Sequence, residues 1–199
     1  MFETLNEKTI GIARKSGLPY FVFTEHEQRG DTFGERYTDA LQRVFDKGFE
    51  HVISIGNDSP QLTQKHITKT AKLLESQKLV LGPSADGGFY LMGIHKSQFN
   101  AALFLKLPWQ KSSLANSIAR LLSAQKIEVS WLEQLVDIDD LASAKKLLHQ
   151  AQNLAITVRK LLARLIDNLR VVFAPERNQK EILLIQNLYN KGSPVHKIS

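Results

Sequence analysis

Three short acidic stretches are the parts of this sequence whose residue types could do chemistry. Gly56-Asn57-Asp58-Ser59-Pro60 leaves the apolar run His51–Ile55 abruptly. Ser84-Ala85-Asp86-Gly87-Gly88 separates two further apolar runs, and Asp137-Ile138-Asp139-Asp140 follows a third. A carboxylate just past a strand end is suited to a divalent cation, because Mg²⁺ is usually held by one or two carboxylates together with substrate phosphates. In open α/β sheets ligands bind beyond the carboxyl ends of the strands. Asp58, three residues past Ile55, stands where such a cation would be useful. Asp86 could bond a ligand hydroxyl or a metal-bound water, and Gly87-Gly88 would let the backbone approach a ligand closely.

Each stretch has a plainer reading as well. Asp58-Ser59-Pro60 is good turn chemistry before a helix. Asp86-Gly87 is a strong hairpin signal. Asp137, Asp139 and Asp140 suit a helix N-terminus, where capping and the helix dipole favour acids. Trp109, next to Pro108, reads either as a core aromatic or as a pocket wall. Other chemistries lack a motif. Cysteine is absent, which removes disulfides, thiolate ligands and Cys nucleophiles, and the six histidines have no metal-ligand spacing. No Gly-x-Ser-x-Gly elbow appears, nor a glycine-rich phosphate loop after a strand.

The elements that must position these residues follow from periodicity. Asn6–Lys15 reads as a helix stopped at Gly17, and Tyr20–Thr24 as a buried strand. A helix is expected over 34–47, with apolar Tyr37, Leu41, Val44 and Phe45, and Gly48 as its stop. His51–Ile55 reads as a buried strand. Thr63 caps a helix to about Ser76, and strands are expected at Leu79–Leu81 and Phe89–Ile94. Ser112 or Ser113 opens a helix to about Ala124, Glu128–Leu132 is a strand, and a helix starts near Leu141. Alternating helices and strands imply a mostly parallel sheet with helices on both faces. The join at Asp86 implies one antiparallel strand, so the sheet is mixed. Beyond this domain, Leu154–Val172 reads as a basic amphipathic helix and Lys180–Tyr189 as a last helix. Its leucine face is expected to dock on the domain or on a second copy, a candidate homodimer contact.

The chain has 199 residues, 43% apolar and 23% charged, which suits one α/β domain with an appendage. The net charge of +6 lies in the tail: residues 145–199 hold 10 basic and 3 acidic residues, and the rest 16 and 17. A cationic nucleic-acid groove through the domain is therefore not expected. No apolar run approaches the ~20 residues of a membrane span, and Met1–Ile10 has no signal-peptide core. With no cysteine, a cytoplasmic location is expected.

Taken together, Gly30-Asp31-Thr32-Phe33-Gly34-Glu35-Arg36, Ile55–Pro60, Leu81–Gly93, Pro108-Trp109 and Asp137-Ile138-Asp139 resemble the DUF2064 family over residues 5–148. That family is glycosyltransferase-like and belongs to the GT-A nucleotide-diphospho-sugar transferases. The resemblance implies a three-layer, Rossmann-like GT-A domain at 1–148 and a helical extension at 149–199. It implies a transferase with Asp58 and Asp86 as catalytic residues and Asn57, Gly87, Gly88, Tyr90 and Trp109 as substrate-binding residues. Asp58 and Asp139 would hold Mg²⁺ or Mn²⁺. A nucleotide-sugar or nucleotide donor and a small acceptor would be the partners. Nucleotidylyl transfer of the cofactor-biosynthesis type, or a catalytically silent scaffold, are the competing expectations. Family members open with a strand and a Lys/Arg-bearing phosphate loop that nothing in this sequence matches. Weak nucleotide binding is therefore expected, about −4 kcal/mol at millimolar affinity, together with an exposed sheet edge.

Overall fold

The computed structural model describes residues 2–123 and 127–136. They belong to one unit spanning 2–137. The acidic stretch at 137–140, the proposed boundary near 148 and both tail helices lie outside the described residues.

Helix α1 spans Phe2–Lys15 and ends at Gly17, whose φ of +77° is the left-handed conformation that glycine tolerates. Helix α2 spans Phe33–Phe45. It starts with a capping box: Glu35 N–H donates to Thr32 Oγ1, and the Glu35 carboxylate accepts from Thr32 N–H. Strand β1 (His51–Ile55) leads through the Asp58 turn to α3 (Gln64–Leu74). Strands β2 (Leu79–Pro83) and β3 (Phe89–His95) form the hairpin around Asp86. A 3-10 turn at Lys96–Gln98 and helix α4 (Ala101–Leu105) lead to α5 (Leu114–Ser123), and β4 is Val129–Trp131. The short α4 carries no helical period long enough to announce itself, and the sequence reading passed over it.

The four strands lie in the order β1-β3-β2-β4. β3 is antiparallel to both β1 and β2, whereas β2 and β4 are parallel. Three strands thus share a direction and β3 alone opposes them, as a mixed sheet requires. "Mostly parallel" nevertheless needs correction for the described residues: two of the three pairings are antiparallel, because β3 sits inside the sheet. Side chains alternate between faces. Leu79, Leu81, Met92 and Ile94 pack with Leu41 and Phe45 of α2 on one face. Val80 and Leu91 pack with Leu62, Leu74 and Leu132 on the other, joined by Ile12 of α1. At about 1.5–3 kcal/mol per fully buried aliphatic side chain, these two layers dominate the favourable energy.

Two expectations fail at the β1 side. Tyr20–Thr24 is not a strand, and Tyr20, Phe21 and Val22 are 43–44% exposed. A strand needs a neighbour for its backbone N–H and C=O groups. Among the described residues this run has none. Phe21 instead touches Phe49 and Lys47, and Phe23 lies under the Arg43 guanidinium. β1 has its expected bounds but is only partly buried, with His51 exposed. It pairs with β3 on one side, and its other edge has no strand partner among the described residues.

Candidate functional site

β1 and β2 run in the same direction, so their carboxyl ends meet one edge of the sheet. Asp58 follows one and Asp86 the other. With β3 between them, the strand ends are about 10 Å apart, two strand spacings.

The Asp58 turn begins at Gly56, whose N–H donates to Tyr90 O at 2.9 Å and prolongs the β1–β3 ladder. A Cβ on Gly56 would stand 2.9 Å from Asp58 Oδ1, so the carboxylate folds back over the glycine. Ser59 and Pro60 are buried, and Leu62 N–H closes the turn on Ser59 O at 3.0 Å. Asn57 is exposed and donates through Nδ2 to Asn6 Oδ1 of α1 at 2.5 Å. Lys8, two residues further along α1, donates to Pro60 O and, at 3.4 Å, to Leu62 O. Burial holds the Lys8 ammonium below the usual lysine pKa.

The Asp86 turn is self-contained. Asp86 Oδ1 accepts from the Ser84 hydroxyl and from Gly88 N–H at 2.9 Å. Gly87 N–H donates to Ser84 O at 3.1 Å. Gly87 has φ +90°, and a Cβ there would lie 1.9 Å from Ser112 O. The space a ligand was expected to use at Gly87 is therefore filled by the backbone that opens α5. Gly87 O in turn accepts from Ala115 N–H at 3.1 Å. A Cβ on Gly88 would press on Asp86 Oδ1 and Ser84 Oγ, both 3.2 Å away, so this glycine preserves the carboxylate's bonds.

Residues 132–136 run along both turns. Leu135 N–H donates to Pro83 O, Ala85 N–H donates to Leu135 O, and Val136 N–H donates to Gln61 Oε1 at 3.0 Å. His66 Nδ1 accepts from Thr63 N–H at 2.9 Å, which leaves the proton on Nε2 to donate to Glu133 Oε1, also at 2.9 Å. A hydrogen bond to its own backbone, aided by His66 and Lys69, holds the Glu133 carboxyl below the usual range.

Tyr90 and Trp109 are placed by packing. Tyr90 is 1% exposed, its ring fills the space over Gly82, and its hydroxyl donates to Glu133 O at 3.0 Å. Expected among the substrate-binding residues, it sits in the core of this structure. The β2–β3 pairing shifts register between Gly82 and Pro83 and skips Tyr90, so its ring joins Val80 and Leu91 on one side of the sheet. Trp109 packs over Gly34 among Phe33, Tyr37 and Phe89, and donates through Nε1 to Phe104 O at 2.7 Å. Of the two readings left open for Trp109, this environment matches the core aromatic.

The structure thus brings Asn57, Asp58, Asp86, Gly87 and Gly88 to one sheet edge, while Asp139 lies outside the described residues. The sequence reading passed over Lys8, Asn6, Ser84, Gln61 and His66. Ser84 alone had a local signal, a hydroxyl two residues before an aspartate in a turn. The others act across at least 51 residues, or through a histidine with no ligand-like spacing.

Residues 19–111 match the family described as "Uncharacterized protein conserved in bacteria (DUF2064)". That is narrower than the resemblance read from motifs, and it stops short of Asp137 and Asp139. No curated protein matches the chain. The fold is similar to the crystal structure of a "putative nucleotide-diphospho-sugar transferase from Desulfovibrio desulfuricans G20", with a TM-score of 0.62 and 27% identity. The match covers 71% of this chain and 62% of that one, so this chain spans less than two thirds of its length. Among the described residues no helix is long and apolar enough to cross a membrane. Over residues 19–111 the chain is thus similar to the DUF2064 family, and over 71% of its length to a nucleotide-diphospho-sugar transferase-like fold.

Proposed function

We propose that this protein is a metal-dependent transferase acting on a nucleotide-activated donor, with Asp58 as the principal cation ligand and Asp86 beside it. The observation that carries the reading is the shared edge: β1 and β2 deliver both aspartates to the side of the sheet where open α/β folds bind ligands. The similarity to a nucleotide-diphospho-sugar transferase structure supports the same class. Asp86, exposed in a turn that pre-orients its carboxylate, suits contact with the sugar or acceptor. Asn57 and the main chain at Gly88 complete the proposed ligand contacts.

Mg²⁺ or Mn²⁺ fits these residues in one particular way. Among the described residues there is no cluster of three histidine or acidic side chains able to hold a metal by themselves. Asp58 would therefore hold a cation that arrives with a diphosphate, keeping several waters, as Mg²⁺ commonly does. Asp139 is a further candidate ligand. The cation would neutralise charge developing on the diphosphate leaving group.

Calorimetry with a panel of nucleotides and nucleotide-sugars tests the proposal. Binding is expected with Mg²⁺ or Mn²⁺ and not with chelator, because a diphosphate beside Asp58 is repelled without a cation between them. Asp58→Ala should abolish the metal dependence. Tight binding in chelator would overturn the role of Asp58. Under turnover conditions, release of a nucleoside diphosphate supports glycosyl transfer, and release of pyrophosphate supports nucleotidylyl transfer.

A further inference from the structure

Asp58 stands at the sheet edge, but the turn that carries it is tied to a helix far away in sequence. Four hydrogen bonds fasten α1 along residues 57–64. Asn6 accepts from Asn57 at 2.5 Å, and Gln64 Nε2 donates to Lys15 O at 2.6 Å. Between them, the Lys8 ammonium donates to the carbonyls of Pro60 and Leu62, the latter at 3.4 Å. These two carbonyls flank the closure of the turn, where Leu62 N–H meets Ser59 O at 3.0 Å.

We infer that Lys8 is a positioning residue for the Asp58 site: its ammonium clamps the Pro60 and Leu62 carbonyls and so sets where the turn presents Asp58. The inference rests on the reading of Asp58 as a cation ligand. A lysine on a helix ordinarily keeps its head in water and covers apolar surface with its stem. Lys8 gives up part of its hydration instead, and burying a charge is costly unless hydrogen bonds replace the lost water. Main-chain carbonyls are what this site offers. Ser59, Pro60 and Leu62 are buried, so the segment cannot drift outward to find water without losing its packing. Asp58 itself sits between Gly56, bonded to β3, and the clamped Pro60. A turn anchored at both ends in this way holds its carboxylate ready before any ligand arrives.

The test compares wild type, Lys8→Met and Lys8→Arg, with Asp58→Asn as reference. Methionine keeps the length of the stem and removes the donors, whereas arginine restores them. Mn²⁺ affinity is expected to fall on the order of 10-fold in Lys8→Met, the usual scale for residues that orient a metal ligand, and to recover in Lys8→Arg. Amide hydrogen exchange gives a readout that needs no metal. Leu62 N–H should exchange faster in Lys8→Met, while Leu132 N–H, bonded to Leu81 O at 2.8 Å, keeps its protection. Unchanged exchange at Leu62 would overturn the inference. Equal loss at Leu62 and Leu132 would overturn it too, since that signals global destabilisation rather than a loosened turn. If wild type itself binds no Mn²⁺, the reading of Asp58 fails, and exchange at Leu62 alone decides whether Lys8 supports the turn.

Discussion

Asp86 occupies a turn built from its own hairpin, whereas Asp58 occupies a turn tied to a lysine 52 residues before Pro60. Ser84 and Gly88 hold the Asp86 carboxylate within five consecutive residues, and α5 docks on the outside. At Asp58 the nearest local feature is Gly56, and α1 adds ties from more than 50 residues away. The difference teaches where rigidity at this edge originates. A local turn closes a short loop at small entropic cost, whereas a long-range tie holds only as long as the element supplying it stays docked. The Asp58 side should be the one that opens first.

Perturbing each turn separately breaks or sharpens this contrast. Gly87→Ala should have the largest effect, because it places a Cβ at positive φ and 1.9 Å from the Ser112 carbonyl oxygen. A loss of about 3 kcal/mol is expected from combined backbone strain and collision, read from urea unfolding. A loss below about 1 kcal/mol would mean that α5 is not clamped on this turn.

Ser84→Ala should come next. It removes a buried hydroxyl from a charged acceptor, at about 2 kcal/mol. Combining it with Asp86→Asn should give strong non-additivity, and additive losses would show that the two side chains do not act together.

A pH effect follows from Tyr37 and Tyr90, one hydroxyl bonded to Ser54 of β1 and the other to Glu133 O. Burial raises both above the ordinary tyrosine value, with Glu133 adding at Tyr90. In the unfolded chain each ionises near pH ~10, while the folded forms stay neutral. The stability they contribute is therefore complete below that pH and is lost as pH rises through it toward the folded values. Unfolding midpoints should fall above about pH 10, less so in Tyr37→Phe and in Tyr90→Phe.

Asn6→Ala should have the smallest effect, about 0.5 kcal/mol or less, because its bond to Asn57 is exposed. Its signature should be faster exchange confined to the Asp58 side. A loss as large as that of Ser84→Ala would reverse the contrast.

The same contrast separates what was legible in the amino-acid order. The bounds of His51–Ile55, the Thr63 cap, the hairpin at Asp86 and the stops at Gly17 and Gly48 all follow from neighbouring residues. Tyr20–Thr24 misled because its β-branched and aromatic composition is that of a strand, whereas strandness depends on a partner edge. Tyr90 was expected at the site through the family resemblance, while the register shift between β2 and β3 turns its ring into the core.

The order of residues by itself determined the alternation of elements, the single opposed strand, the two turns with their aspartates and the similarity to DUF2064 over residues 19–111. These rest on interactions within a few positions: periodicity, capping and the special backbone of glycine. Tertiary structure alone decided that β3 lies inside the sheet, that β1 keeps an unpaired edge among the described residues, that Ser112 fills the space at Gly87, and that Lys8 reaches the Asp58 turn. Each of these joins groups far apart in the chain. Their pairing is set by which surfaces can be buried together and which hydrogen bonds then remain to be satisfied, and no local pattern encodes that choice.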